Sequence, residues 1–340
     1  MGKQKEWKTM RGKLEALIII LFLITPTLFS AEIDQLTDRE KYEETARDFT
    51  PVLNRFTNRQ LEKAVGNFNS LFDTTEMEPS EVHKQMAFQI YKATAGSESD
   101  RYSEEMPTRI NLFYALGKSG HGPIQTWIQR EENREWWIKL KENIYSDLYP
   151  EPLNQNYIIK VAGEFLGPDK IDHFFDQGYS YWLISRFGEN DKAALTFGVE
   201  TEIGWYGLRA GGIFSFADLR ANWEGYRFFI DLFDKEKGHL TINGEGSVEI
   251  NRPFDWTDYI DWQYDELKNP SVITEINLKK INRYIWNHYD QYCETYNYLK
   301  ESEILEWASK RDSYYFTEDL TFSNAHLFDF STIMSEGDNS

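Results

Sequence analysis

The chain has 340 residues, 16% of them aromatic, and sets 37 Lys and Arg against 56 Asp and Glu, for a formal charge of −19 at pH 7. A field of that sign repels nucleic acid and anionic lipid, so no nucleic-acid partner is expected and the charge reads first as solubility. Cys293 is the only cysteine, which excludes an intramolecular disulfide and leaves stability to the packing of an aromatic-rich core.

Residues 1–30 read as a signal peptide. Lys3, Lys5, Lys8, Arg11 and Lys13 form a basic front, an apolar run extends from Leu14 to Phe29, and Ser30-Ala31 offers small residues for cleavage. The unbroken apolar core, Ala16 to Ile24, is shorter than the roughly 18 residues of a spanning helix. The expected protein is therefore periplasmic or extracellular. The alternative is an inner-membrane protein anchored by residues 14–29, the leader being the only membrane contact. Loss of residues 1–30 removes five basic and two acidic side chains and takes the formal charge to about −22.

Three further spans follow: an N-terminal helical region, 31–150; a central and C-terminal helical region, 151–333, sharing one core with it; and a frayed tail, 334–340. Residues 32–48 are charged enough for a solvated leading helix or a loose segment. A turn at Thr50-Pro51 precedes a helix capped by Thr57 or Asn58, with Leu61, Val65 and Phe68 at helical spacing. Ser80 starts another helix carrying His83, and residues 95–106 form a polar loop. Two helical runs within 108–147 flank Gly117-Lys-Ser-Gly-His-Gly-Pro123. That Gly-Lys-Ser is no phosphate loop, because Leu112 stands where the motif needs glycine, and Pro123 opens the second run. Trp127, Trp136 and Trp137 read as core.

Residues 239–250 form two alternating runs around Asn243-Gly244, a β-hairpin signal. Asp255 then caps a helix running toward Asp265, Asn269-Pro270 breaks it, and a long helix spans about 272–299 with Cys293 buried in it. The expected class is mainly α, a multi-helix globular bundle with one small β-hairpin.

Candidate chemistry concentrates between residues 168 and 233. Asp169 and His173 are four apart and share a helix face, opposite Ile171, Phe174 and Phe175. A carboxylate beside an imidazole fixes its tautomer and raises its basicity. Asp169 also suits a plain N-cap, with Lys170 and Asp172 as surface charges of the first turn. Glu200 and Glu202 follow on a glycine-bearing segment, where one at most turns inward and Gly198, Gly204 and Gly207 permit close approach. Ser215 and Asp218 form a capping-box pair, and Asn222 lies one turn beyond Asp218.

The pattern Asp169-Lys170-x-x-His173 followed by Ser215-x-x-Asp218-Leu219-x-x-Asn222-x-x-Gly225 resembles that of VanZ-like proteins and of some small envelope lipoproteins of unknown function. The likeness covers about 60 residues. The whole chain, more charged and longer than those proteins, looks like an uncharacterised exported bacterial family.

Two functions are open. A non-catalytic binding or structural module would engage an envelope glycan, lipid or protein, its polar cluster being a satisfied buried network. An envelope hydrolase acting on a cell-wall or lipid-linked substrate would use Asp169, Lys170, His173, Glu200 or Glu202, Asp218 and Asn222 as its site. No cofactor is indicated. One histidine among carboxylates is compatible with a hard or borderline divalent ion.

Overall fold

The computed structural model describes residues 45–96, 123–128, 130–139, 157–204, 207–208, 212–269, 271–274 and 325–327. The fold is mainly α with the expected small hairpin.

Helix α1, Thr50–Leu71, buries Leu53, Leu61, Ala64, Val65 and Phe68. It begins well before the expected caps. Pro51 occupies the first turn, where its missing N–H costs nothing, and Asp48 Oδ1 accepts from Thr50 N at 2.9 Å. Thr57 and Asn58 are thus interior residues, and they hold a distant segment instead. Thr57 Oγ1 accepts from Trp256 Nε1 at 3.1 Å. Asn58 donates to Phe254 O and accepts from Phe254 N, both at 2.8 Å, while Asn54 Oδ1 accepts from Trp256 N at 3.0 Å. Helix α2, Pro79–Thr94, packs along α1. His83 on α2 reaches Phe229 O at 2.6 Å and stacks on Trp182.

The second run of the 108–147 region opens at Pro123, as expected, but α3 ends at Ile128. Side chains bind its last carbonyls: Asn133 Nδ2 donates to Trp127 O, which also accepts from Arg130 N, and Trp137 Nε1 donates to Ile128 O. A 3₁₀ turn, Glu131–Trp136, follows. Trp127 is buried against Phe56, their rings stacked at 4.0 Å, whereas Trp136 and Trp137 are half-buried at the edge of the core.

Strands β1 (Ile138–Lys139), β2 (Tyr157–Val161) and β3 (Glu164–Leu166) make a small antiparallel sheet absent from the sequence reading. Helix α4 (Asp169–Asp172), a π-turn (His173–Gln177) and α5 (Gly178–Ile184) then follow without a break. After them come α6 (Asp191–Ile203), β4 (Ile213–Phe214) and α7 (Phe216–Ile230). The hairpin pairs β5 (Leu240–Ile242) with β6 (Val248–Ile250), and Asn69 of α1 clamps it by exchanging hydrogen bonds with Val248 N and O.

Beyond the hairpin the expected helices are corrected. Residues 255–265 form two 3₁₀ turns, Trp256–Asp258 and Trp262–Tyr264, each started by an aspartate that caps its own short turn. Val272–Thr274 is a strand, β7, between β4 and β8 (Ala325–Leu327), as suits three β-branched residues in a row. The remainder of the helix expected to 299, with Cys293, lies outside the described residues, as do the leader and most of residues 95–106. Among the described residues no helix is long and apolar enough to cross a membrane.

Helices α5 and α7 cross at Gly178 and Gly225. A Cβ on Gly178 would lie 2.6 Å from the Gly225 Cα, and one on Gly225 would strike Phe174 O. Gly225→Ala is expected to lower stability by about 2–3 kcal/mol through overpacking against a rigid backbone. Gly66→Ala, in open space on α1, should raise it by about 0.5–1 kcal/mol. Urea denaturation of both variants checks the contrast.

Candidate functional site

Lys170 is the centre of the site. The residue is 0% exposed, and an ammonium out of water needs close partners to offset a desolvation cost of several kcal/mol. Nζ has three: Asp169 Oδ2 at 3.0 Å, Asp218 Oδ1 at 2.7 Å and Glu266 Oε1 at 2.6 Å. One acid comes from α4, one from α7 and one from the loop after the 3₁₀ turn Trp262–Tyr264. Lys170 is therefore no surface charge. Nor is Asp169 an N-cap, since the cap position is Pro168 and no side chain caps there.

His173 lies one turn along, 9% exposed. Its Nδ1 is 2.9 Å from Asn222 Oδ1 and its Nε2 is 3.3 Å from Asp218 Oδ2. The expected partner, Asp169, is replaced at the ring by Asn222 and Asp218, the two residues of α7 spaced one turn apart. Asn222 Nδ2 donates onward to Tyr181 Oη at 3.1 Å. Both ring nitrogens face oxygen acceptors, so the imidazolium is the form that satisfies the site. Burial opposes that charge, but Asp218, Asp169 and Glu202 outweigh it and raise the His173 pKa above its ordinary value.

The π-turn at 173–177 is part of this geometry. It contains one residue more than an α-turn, so His173 and Tyr181, eight apart, stand about two full turns apart on one face. Both consequently reach Asn222. Gly198 on α6 makes room for the Tyr181 hydroxyl, which a Cβ there would overlap.

The capping box is present in altered form. Ser215 Oγ accepts from Asp218 N at 3.1 Å, as the motif requires. The reciprocal bond to Ser215 N comes from Glu202 Oε2 at 3.4 Å, which leaves the Asp218 carboxylate to Lys170 and His173. Capping thus explains the backbone of Asp218 but not its side chain. Glu202 is buried and Glu200 is exposed; Glu200 is no part of the site.

Burial pushes the Glu202 carboxyl up to about 8, with the charge of Asp218 acting in the same direction. Burial likewise raises Glu266 well above its ordinary range. Asp169, His173 and Asp218 present potential metal-ligand atoms within 4.8 Å of one another. The ammonium already lies against both carboxylates, however, so a divalent ion would meet a like charge unless Lys170 moved.

Glu266 and Tyr181 escaped the sequence reading. Glu266 sits in an irregular loop with no periodicity to mark it. Tyr181 could have been found only by allowing one extra residue in the helix. Comparison with known proteins finds no match to this chain among family models, curated sequences or solved structures.

The shifts fix a pH dependence. Glu202 binds its proton more tightly when folded, so its contribution is complete below about pH 4.5 and is lost as pH rises through about 8. The raised His173 loses its contribution in the same sense above 6.5. His239, lowered to about 4 by burial, acts oppositely, but only below 6.5. Melting temperature should therefore fall as pH rises from 6.5 to 8, and Glu202→Gln should flatten that slope. Calorimetry across this window tests both.

Proposed function

We propose that the chain is an exported cell-envelope protein whose helical body is a non-catalytic binding or structural module, fastened internally by the Lys170 cluster. The observation that carries this reading is closure: Asp169, Lys170, His173, Glu202, Asp218, Asn222 and Glu266 are each no more than 9% exposed. Their charged atoms are directed at one another. A reaction needs a path for substrate, whereas a closed internal network orders helix packing. The basic and apolar leader and the likeness to envelope proteins support the location, and a glycan, lipid or protein of the envelope is the partner. Mass spectrometry of the protein recovered from the envelope is expected to show an N-terminus near residue 31. An intact Met1 on membrane-bound material would favour the anchored form.

The second reading, an envelope hydrolase, is favoured by one observation. An imidazole held by Asp218 and Asn222 beside a carboxyl raised to about 8 is the kind of pair that shuttles protons. Substitution separates the two. On the structural reading Lys170→Met lowers stability by about 3–5 kcal/mol, because three buried acids lose their cation, and His173→Ala lowers it by about 2–3 kcal/mol. On the hydrolase reading the wild-type chain hydrolyses purified cell-wall or phospholipid substrate, and His173→Ala abolishes that activity while leaving the denaturation midpoint nearly unchanged.

A further inference from the structure

Away from the lysine cluster, a groove of about 860 Å³ opens between α1 and the segment Arg252–Asp258. That volume suits a small ligand. Its walls are preformed, because Asn54 and Asn58 hold the backbone of Phe254 and Trp256 against α1.

The charges on the two walls differ in how they are used. On the loop wall Arg252 pairs with Asp258 at 2.7 Å and donates to Lys237 O at 2.9 Å. Asp255 Oδ1 accepts from Asn54 Nδ2 at 2.9 Å and Thr257 N at 3.0 Å. On the helix wall Arg55 and Arg59 are exposed, one turn apart, and neither forms an ion pair among the described residues. Arg59 Nε donates to the Arg55 carbonyl at 3.3 Å, and its guanidinium lies 5.9 Å from the Phe56 ring centroid. Its two terminal nitrogens are not used in that bond. Glu62, also in the lining, sits three residues C-terminal to Arg59, the weaker orientation for a helical ion pair.

Like charges at i, i+4 repel by a few tenths of a kcal/mol, and here they persist in a chain of net charge −19. An anion across both guanidinium groups removes that repulsion. A carboxylate is satisfied by one guanidinium fork, while the oxygens of a phosphate group can take two. We propose that Arg55 and Arg59 form a binding site for a phosphate monoester or diester in this groove. The inference rests on the binding-module reading and names the chemistry of its ligand.

Isothermal titration of the full chain with inorganic phosphate and with glycerol phosphate tests it, acetate serving as the carboxylate control. Flotation with phosphatidylglycerol and phosphatidylcholine vesicles tests a lipid source. Saturable phosphate binding is expected, weakened at least about tenfold by Arg55→Gln with Arg59→Gln at an unchanged melting temperature, and unaffected by Lys63→Gln, an exposed cation of α1 outside the groove lining. Binding of soluble phosphates without flotation assigns a soluble ligand. Flotation on phosphatidylglycerol that the double substitution removes assigns a headgroup. Equal binding of acetate, binding indifferent to the double substitution, or neither saturable binding by about 10 mM phosphate nor flotation overturns the site. These outcomes are independent of His173→Ala, so loss of the groove ligand and loss of the module reading remain distinguishable.

Discussion

One ammonium group sets the terms for the middle of this protein. Lys170 is held by acids from α4, from α7 and from the loop at Glu266, and each contact must be near hydrogen-bond distance for the charge to be tolerated. That requirement ties three segments, separated by some fifty residues each, into a single register. Shifting α7 by one residue would place Ala217 or Leu219 near the ammonium instead of Asp218 and would separate Asn222 from His173. Apolar packing tolerates several arrangements of similar volume, whereas a buried cation with three fixed acceptors tolerates few.

The backbone had to be shaped for this. The crossing of α5 on α7 is close enough to exclude side chains at Gly178 and Gly225. Around that contact Phe174, Phe175, Phe228, Phe254, Trp256 and Tyr259 pack largely edge to face. The aromatic layer and the ion cluster occupy opposite sides of the same helix, and the π-turn lies where that helix serves both. Polar specificity and apolar burial are therefore coupled through one short stretch, Asp169 to Tyr181.

Much of this was legible beforehand, and the failures have physical causes. Asp218 and Asn222 were readable as one face because helical spacing is rigid, and the acid turned inward from the Glu200/Glu202 pair was readable as a choice of one. Asn243-Gly244 marked its hairpin for a similar reason, since few sequences turn so tightly. What could not be read was any position set by a distant side chain. Thr57 and Asn58 carry a capping signature, yet Pro51 had already opened α1 and their polar atoms belong to residues 254–256. The run after Pro123 is helical in pattern, but Asn133 and Trp137 claim its last carbonyls. Glu266 has no local signal, because only the fold brings it to Lys170. Val272–Thr274 follows its β-branched chemistry, and an apolar pattern continuing beyond it obscured that.

The clamp of Asn54 and Asn58 on residues 254–256 spans about 200 residues of sequence. It cannot close until that later segment has been synthesised, and closing so long a loop is slow because its entropy must be spent before the contacts form. The α1 amides that fasten the segment remain solvated in the meantime. The clamp thus orders the assembly of the protein in time as well as in space.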